Sequence, residues 1–107
     1  MSLVKRKNAD GTVVLKVLSN LDDFDGAKKL RDDLQELCSS GEKRIVLDLS
    51  NVSRMGGHGI GKILLFHNRL LKSGGKLLLG PMSDAVRTTL DGLKITELIN
   101  EHKYIKN

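Results

Sequence analysis

The feature that most constrains the fold is a strand–loop–helix pattern over residues 44–73. It opens with the apolar run at residues 45–49, which is long enough for a buried strand and too short for an ordinary helix. A polar, glycine-rich loop follows over residues 50–59. The next segment predicts a helix, because its apolar face recurs at spacings of three and four residues, at Ile60, Ile63, Leu64, His67, Leu70 and Leu71. The loop therefore joins a strand end to a helix start, where open α/β sheets engage ligands and partners.

The flanking segments predict the rest of a single α/β domain. Residues 3–7 and 12–18 read as an antiparallel pair of strands around a turn at residues 8–11. A helix is predicted over residues 24–38, with Asp22, Asp23 and Asp25 near its start, where negative charge is favoured. A strand at residues 76–79 precedes a break at Gly80 and Pro81, then a helix over residues 84–90 and a last short helix or turn around residues 95–99.

This element order is β-β-α-β-α-β-α-α. Strands separated by helices predict parallel neighbours, and the first hairpin adds an antiparallel pair. We therefore expect one domain over residues 1–107, with a mixed sheet of about four or five strands and three or four helices.

Several side chains are expected in or near the core. Cys38 is predicted to be a small core residue, and His67 a core or core-edge histidine that makes one hydrogen bond. The third helix is expected to turn these residues inward: Ala85, Val86, Thr89 and Leu90. The tail over residues 101–107, which contains His102, is expected to fray.

Composition narrows the classes of function. A single cysteine excludes an intrachain disulfide and favours a reducing compartment, so the predicted location is the cytoplasm. No apolar run approaches the ~20 residues that cross a bilayer, so no membrane association is expected. The net charge of +5 suggests nucleic acid, but Lys5, Arg6 and Lys7 supply much of the excess. Aromatic residues make up only 3% of the chain, too few for base stacking, so nucleic-acid binding is not predicted.

The residues that carry chemistry do not form an enzyme motif. No nucleophile–base pair is visible, and the three histidines lack metal-ligand spacing. Gly57, Gly59 and Gly61 alternate where the central loop meets the helix, but the full dinucleotide fingerprint and the phosphate-loop motif are both missing. We predict a protein that is not an enzyme and has neither a cofactor nor a metal.

Five segments form a recognisable set in this order along the chain: 17–22 (VLSNLD), 45–52 (IVLDLSNV), 55–61 (MGGHGIG), 74–77 (GGKL) and 93–99 (LKITELI). Together with the element order, they resemble a STAS domain, the fold of bacterial anti-sigma factor antagonists. The resemblance implies a module that binds an anti-sigma factor that is also a serine kinase. It also implies a switch, in which the kinase phosphorylates a serine in an Asp-Ser-Ser/Thr-Gly loop before the second helix, and the added charge breaks the complex.

The central loop departs from that pattern at the decisive position. Gly56 and Gly57 stand at the first two positions of the motif, and His58 stands at the phosphoacceptor position. Only Gly59 is kept. The preceding loop has Ser19-Asn20 where the family has Gly-Glu, although Leu21-Asp22 remains.

Three interpretations of His58 stay open. The chain is a binding module or divergent scaffold that is not regulated by serine phosphorylation at this loop. Alternatively, a histidine-kinase-like partner phosphorylates His58, and the helix N-terminus stabilises the phosphoryl group. In the third interpretation, His58 titrates near neutral pH and tunes binding by its charge. A small-ligand module that senses nucleotide or phosphate is the competing class of function.

The predicted partner-binding surface lies at the ends of two neighbouring strands. Its residues are Asn20, Asp22, Arg54, Met55, Gly56, Gly57, His58, Gly59 and Lys62. The glycines either allow a partner to approach the backbone closely or simply make the turn. The expected partner is an anti-sigma factor or similar serine kinase-like protein, and the expected state is a monomer or weak dimer.

Overall fold

The computed structural model describes residues 4–101. Its elements are β1 (Val4–Lys7), β2 (Val13–Lys16), α1 (Phe24–Ser39), β3 (Arg44–Leu49), α2 (Gly57–Lys72), β4 (Lys76–Met82), α3 (Asp84–Gly92) and α4 (Ile95–Leu98). This order confirms the predicted α/β fold. The expectations for residue 3, for His102 and for the tail beyond residue 101 lie outside the described residues.

The described strands form one mixed sheet in the order β1-β2-β3-β4. β1 and β2 pair antiparallel around a turn in which Gly11 adopts a φ of 89°, a left-handed conformation that favours glycine. β2 pairs parallel with β3, and β3 with β4. Because Lys16 lies opposite Asp48, β2 and β3 end side by side. The loops that follow these two strands therefore leave the same edge of the sheet.

The core lies between the sheet and the helices. In β3, Ile45, Leu47 and Leu49 alternate onto the helix-covered face and are fully buried. Burying each of them contributes about 1.5–3 kcal/mol. Val46 points to the other face, where it forms a small cluster with Val14 and Leu78.

Helix α2 differs from the prediction in two respects. It begins at Gly57 rather than near Ile60, so three of the expected loop residues form its first turn. Its buried stripe contains Phe66, which is fully buried, whereas Leu71 is 51% exposed. The reason is geometric: the sheet touches a narrow stripe of the helix, and Leu71 falls just outside it near the end of the helix.

Three side-chain predictions have mixed outcomes. His67 is buried, as predicted, and its Nδ1 atom has no hydrogen-bond partner among the described residues, so the expected bond is not made by that atom. Cys38 is half-buried and packs against the core, and burial raises the pKa of its thiol. Ala85 is exposed and Thr89 half-buried, because the short α3 presents only Val86 and Leu90 to the core.

The predicted break at Gly80 and Pro81 is wrong. β4 continues through both residues to Met82. The pairing of β3 with β4 shifts register here, so Leu49 lies opposite Met82. Proline is tolerated at such irregularities of an edge strand because a ladder hydrogen bond is already missing there.

Candidate functional site

The loops after β2 and β3 are joined by backbone pairing. Leu21 and Met55 form a parallel bridge beyond the strands. The Leu21 amide donates to the Arg54 carbonyl at 2.8 Å, and the Gly56 amide donates to the Leu21 carbonyl at 2.8 Å. The predicted neighbouring loops therefore form one surface whose backbone is held in a defined geometry.

Asn20 holds the second loop against the first. Its Oδ1 accepts hydrogen bonds from the Ser53 amide at 2.8 Å, the Ser53 hydroxyl at 3.1 Å and the Arg54 amide at 3.1 Å. Asn20 itself is half-buried. The side chain was predicted to contact a partner, and in this structure its carbonyl oxygen is occupied in positioning the loop.

An ion pair between Arg54 and Asp22 crosses the outer surface of the two loops. Arg54 Nε donates to Asp22 Oδ2 at 2.6 Å. This hydrogen bond lowers the pKa of Asp22 below its ordinary value and raises the pKa of Arg54. Both residues are exposed, so solvent weakens the pair and it adds little stability. The two charges remain available to a partner.

The start of α2 has no side-chain cap. Its N-cap is Gly56, and its first turn contains no acidic residue. The first N–H groups of any helix lack intrahelical partners and carry partial positive charge. This end of α2 therefore presents unpaired donors at the surface made by the two loops.

The three glycines at the start of α2 occupy different environments. Gly59 is buried, and a Cβ built on it would lie 2.5 Å from Leu21 Cβ and 2.7 Å from the Leu21 carbonyl oxygen. A Cβ on Gly56 would lie 3.2 Å from Asp22 Cα. Among the described residues, no heavy atom lies within 4 Å of a Cβ built on Gly57. The close approach that Gly59 allows is thus within the chain, whereas Gly57 is open to solvent.

His58 is exposed at the second position of α2. Its ring contacts the ring of Phe24 edge to face, with centroids 5.9 Å apart and an interplanar angle of 84°. Phe24 begins α1 and is itself 61% exposed. Sequence reasoning missed Phe24 as a site residue, because only the packing of α1 beside α2 brings the two rings together.

The remaining predicted residues flank His58. Lys62 is half-buried one turn further along α2 and lines a concavity of about 200 Å³ with Phe24, Lys28 and Arg31. Met55 is half-buried and packs against the core, so it supports the loop from below. The structure therefore brings the predicted residues to one edge of the molecule, with Gly59 beneath the surface.

A second, shallower depression of about 310 Å³ lies beside the Arg54–Asp22 pair. Its walls carry the carboxylates of Asp22, Asp23 and Asp25 as well as Lys29 and Arg54. Within residues 4–101, no group of three His, Cys, Asp or Glu side chains is placed to hold a metal ion. In the same range, no helix combines the length and the apolar character needed to cross a bilayer.

Comparison with known proteins identifies the family. The sequence model of the STAS domain matches residues 4–106, so the chain belongs to the STAS domain family. This confirms the family inferred from the sequence. No curated protein matches the sequence significantly.

Solved structures with this fold include anti-sigma factor antagonists. TM1081 of Thermotoga maritima, a proposed member of that class, superimposes with a TM-score of 0.85 at 20% identity, covering 96% of this chain and 87% of that chain. Phosphorylated SpoIIAA of Bacillus superimposes with a TM-score of 0.69 at 17% identity, covering 95% of this chain and 92% of that chain. Unphosphorylated SpoIIAA superimposes with a TM-score of 0.75 at 18% identity, covering 95% of this chain and 89% of that chain. At these identities the likeness establishes a shared fold.

Proposed function

We propose that this chain is a protein-binding regulatory module of the anti-sigma factor antagonist type. It binds a kinase-type anti-sigma factor or a similar partner, and it is not switched by serine phosphorylation at the usual loop. The observation that carries the proposal is the exposed His58 at the start of an uncapped helix, on a surface built from two joined loops. By its resemblance to the family's loop motif, residue 58 stands at the phosphoacceptor position, and its histidine side chain has no hydroxyl.

The nearest hydroxyl groups are poor substitutes. Ser50 Oγ donates to Asp48 Oδ1 at 2.6 Å, and Ser53 Oγ donates to Asn20 Oδ1 at 3.1 Å. Both serines precede the start of α2, and both hydroxyls are bound within the loop. Phosphorylating Ser53 would also remove a contact that holds the two loops together. The arrangement therefore favours binding without a serine switch.

A small-ligand module is the competing function. The depression beside Arg54 would have to accommodate a nucleotide or phosphate, yet three aspartates line it. Their three negative charges outnumber the two positive charges of Lys29 and Arg54, which disfavours an anion there. Protein binding accounts better for this part of the surface. A nucleotide-binding module would show a rise in melting temperature with nucleotide, since a ligand stabilises the state that it binds.

The direct test uses the kinase-type anti-sigma factor encoded nearest to this gene as the binding partner in calorimetry. We expect His58→Glu to weaken binding about tenfold or more, because a charge enters the contact and must be desolvated. The neutral variant His58→Gln is the matched control and should retain most of the affinity. Equal affinity of the two variants would remove residue 58 from the interface.

A second test addresses phosphorylation. With that kinase and ATP, intact mass measured at alkaline pH should show no added phosphate. A phosphoserine at Ser50 or Ser53 would contradict the proposal. An acid-labile phosphate lost in His58→Gln would instead support the histidine-phosphorylated alternative.

A further inference from the structure

Helices α1 and α2 lie side by side and form a groove that is bridged at both ends. At its start, the ring of Phe24 contacts the ring of His58. At its other end, Arg69 Nη1 on α2 donates to Gln35 Oε1 on α1 at 2.7 Å. Between these bridges lies the concavity of about 200 Å³ that Phe24, Lys28, Arg31 and Lys62 line. The groove continues from His58 along the helices, away from the two loops.

The wall of the groove on α1 is a regular stripe. Phe24, Lys28 and Arg31 follow one another at spacings of four and three residues, which places them on one face of the helix. The stripe is about 10 Å long at the helical rise per residue. Lys62 stands opposite, four residues after His58 on α2. The concavity therefore has two cations from α1 and one from α2 around it, with the ring of Phe24 beside them.

Positive charge in the groove exceeds the negative charge that could neutralise it. Lys28 and Arg31 share one carboxylate, that of Asp32, at 3.2 Å each. Lys62 has no ion pair with any residue in the described part of the chain. The side chains of Lys28 and Arg31 remain 53% and 49% exposed. These three cations and one carboxylate leave an accessible excess of positive charge.

Phe24 adds an apolar contact at the mouth of the groove. With 61% exposure it is the most exposed large apolar side chain among the described residues. Exposed aromatic rings beside arginine are typical of the anchoring centre of protein interfaces. A ligand that complements both features carries negative charge and an apolar side chain on one extended segment.

We propose that the groove between α1 and α2 binds an acidic segment of the partner protein. One or two carboxylates of that segment lie against Lys28, Arg31 and Lys62, and an apolar side chain lies against Phe24. This inference rests on the proposed function, because it names the chemistry of the partner's surface. A protein segment uses both the cations and the exposed ring of Phe24, whereas a phosphate group would use only the cations.

The test titrates the isotope-labelled protein with a short synthetic peptide that has one phenylalanine flanked by glutamates. We expect amide shifts at Phe24, Lys28, Arg31 and Lys62, and weaker binding at higher salt. Lys62→Glu should weaken the binding of the peptide about tenfold. Lys5→Glu makes the same change of charge on the edge strand β1 and should leave the affinity within about twofold.

Three other ligands provide controls in the same experiment. The peptide with glutamines in place of glutamates should bind much more weakly, and ATP and inorganic phosphate should not displace the acidic peptide. Equal binding of the glutamine peptide would overturn the proposal, and so would shifts outside the groove or tighter binding of ATP than of the acidic peptide.

The partner assay separates the two proposals. If the anti-sigma factor binds the wild-type chain and binds Lys62→Glu equally well, the groove is not the contact, while the proposed function stands. If the anti-sigma factor does not bind the wild-type chain, the proposed function fails, and the peptide titration still decides whether the groove selects acidic segments.

Discussion

The starts of α1 and α2 have a similar backbone arrangement but carry different side chains. The third residue of each helix is a buried glycine, Gly26 in α1 and Gly59 in α2. Each packs against the loop after β2, Gly26 against the Asn20 carbonyl and Gly59 against Leu21. The second residue of each helix is exposed, and it is Asp25 in one and His58 in the other.

Capping separates the two helix starts further. Asp23 caps α1 by accepting a hydrogen bond from the Gly26 amide at 2.8 Å, and Asp25 adds a negative charge to the first turn. Gly56 at the start of α2 has no side chain to accept such a bond. The start of α1 is therefore stabilised by a side chain of its own loop, whereas the first N–H groups of α2 have no side-chain acceptor.

The largest expected effect concerns the buried glycine at the third position of α2. Gly59→Ala should lower the free energy of unfolding by about 1–3 kcal/mol, because the added methyl group overlaps Leu21. In a domain of this size, each kcal/mol lowers the melting temperature by about 4–8 °C. Gly57→Ala is the matched control and should be neutral or slightly stabilising, since that site is open. Equal melting temperatures for the two variants would show that α2 does not need a glycine against Leu21.

The next effect tests the cap of α1. Asp23→Ala should lower the free energy of unfolding by about 1 kcal/mol, because the Gly26 amide loses its acceptor. Asp23→Asn keeps an oxygen at that position and should remain close to wild type. Chemical denaturation of both variants measures the difference. An alanine variant as stable as the asparagine variant would mean that the cap contributes nothing.

A smaller effect tests the uncapped start of α2. Gly57→Asp adds a negative charge to the first turn and should be more stable than Gly57→Asn by about 0.3–1 kcal/mol at low salt. The asparagine variant has nearly the same shape without the charge. The gain should shrink as salt is added. A difference that is absent at low salt would argue that the positive end of this helix is already neutralised.

The smallest effect concerns the ion pair beside the two starts. The hydrogen bond from Arg54 lowers the pKa of Asp22 in the folded protein. The pair therefore stabilises the fold at pH values above the ordinary aspartate pKa of about 3.9. That stabilisation is lost as the pH falls through the lowered pKa of Asp22 in the folded protein. Arg54→Ala should raise the Asp22 pKa towards its ordinary value in a carboxyl titration followed by NMR.

Asp10 provides an internal control for that titration. Its pKa is also lowered, chiefly by the amide of Thr12, so removing Arg54 should leave it unchanged. An Asp22 pKa that does not move in Arg54→Ala would contradict the pairing seen here. A parallel shift of Asp10 would point to a general change in the fold instead.

Much of the fold could be predicted from the sequence, because its apolar residues repeat with the periods of strands and helices. The run at residues 45–49 alternates between the two faces of the sheet as a central strand should, and Gly11 lies in the predicted turn with a left-handed φ. One error lies where periodicity is ambiguous, and another where Gly80 and Pro81 were expected to end β4. Leu71 and Phe66 are both apolar members of one helix, and the area of sheet that the helix covers selects Phe66 for the core.

The candidate site was predictable only in outline. Family resemblance and chain order placed His58 and its neighbours at one edge of the sheet, which the structure agrees with. Phe24 and the groove that it opens carry no local signal, since an aromatic residue at a helix start is equally consistent with the core. Asn20 was expected to face a partner, and its oxygen instead binds the Ser53 and Arg54 amides.

By itself, the sequence determined the order of the elements, the family and the presence of a histidine at residue 58, because each depends on residue types along the chain. Only the tertiary structure decided that Phe24 meets His58, that Gly59 serves internal packing and that three cations line one groove. These facts depend on how α1 lies beside α2, and that arrangement follows from the packing of both helices on one sheet.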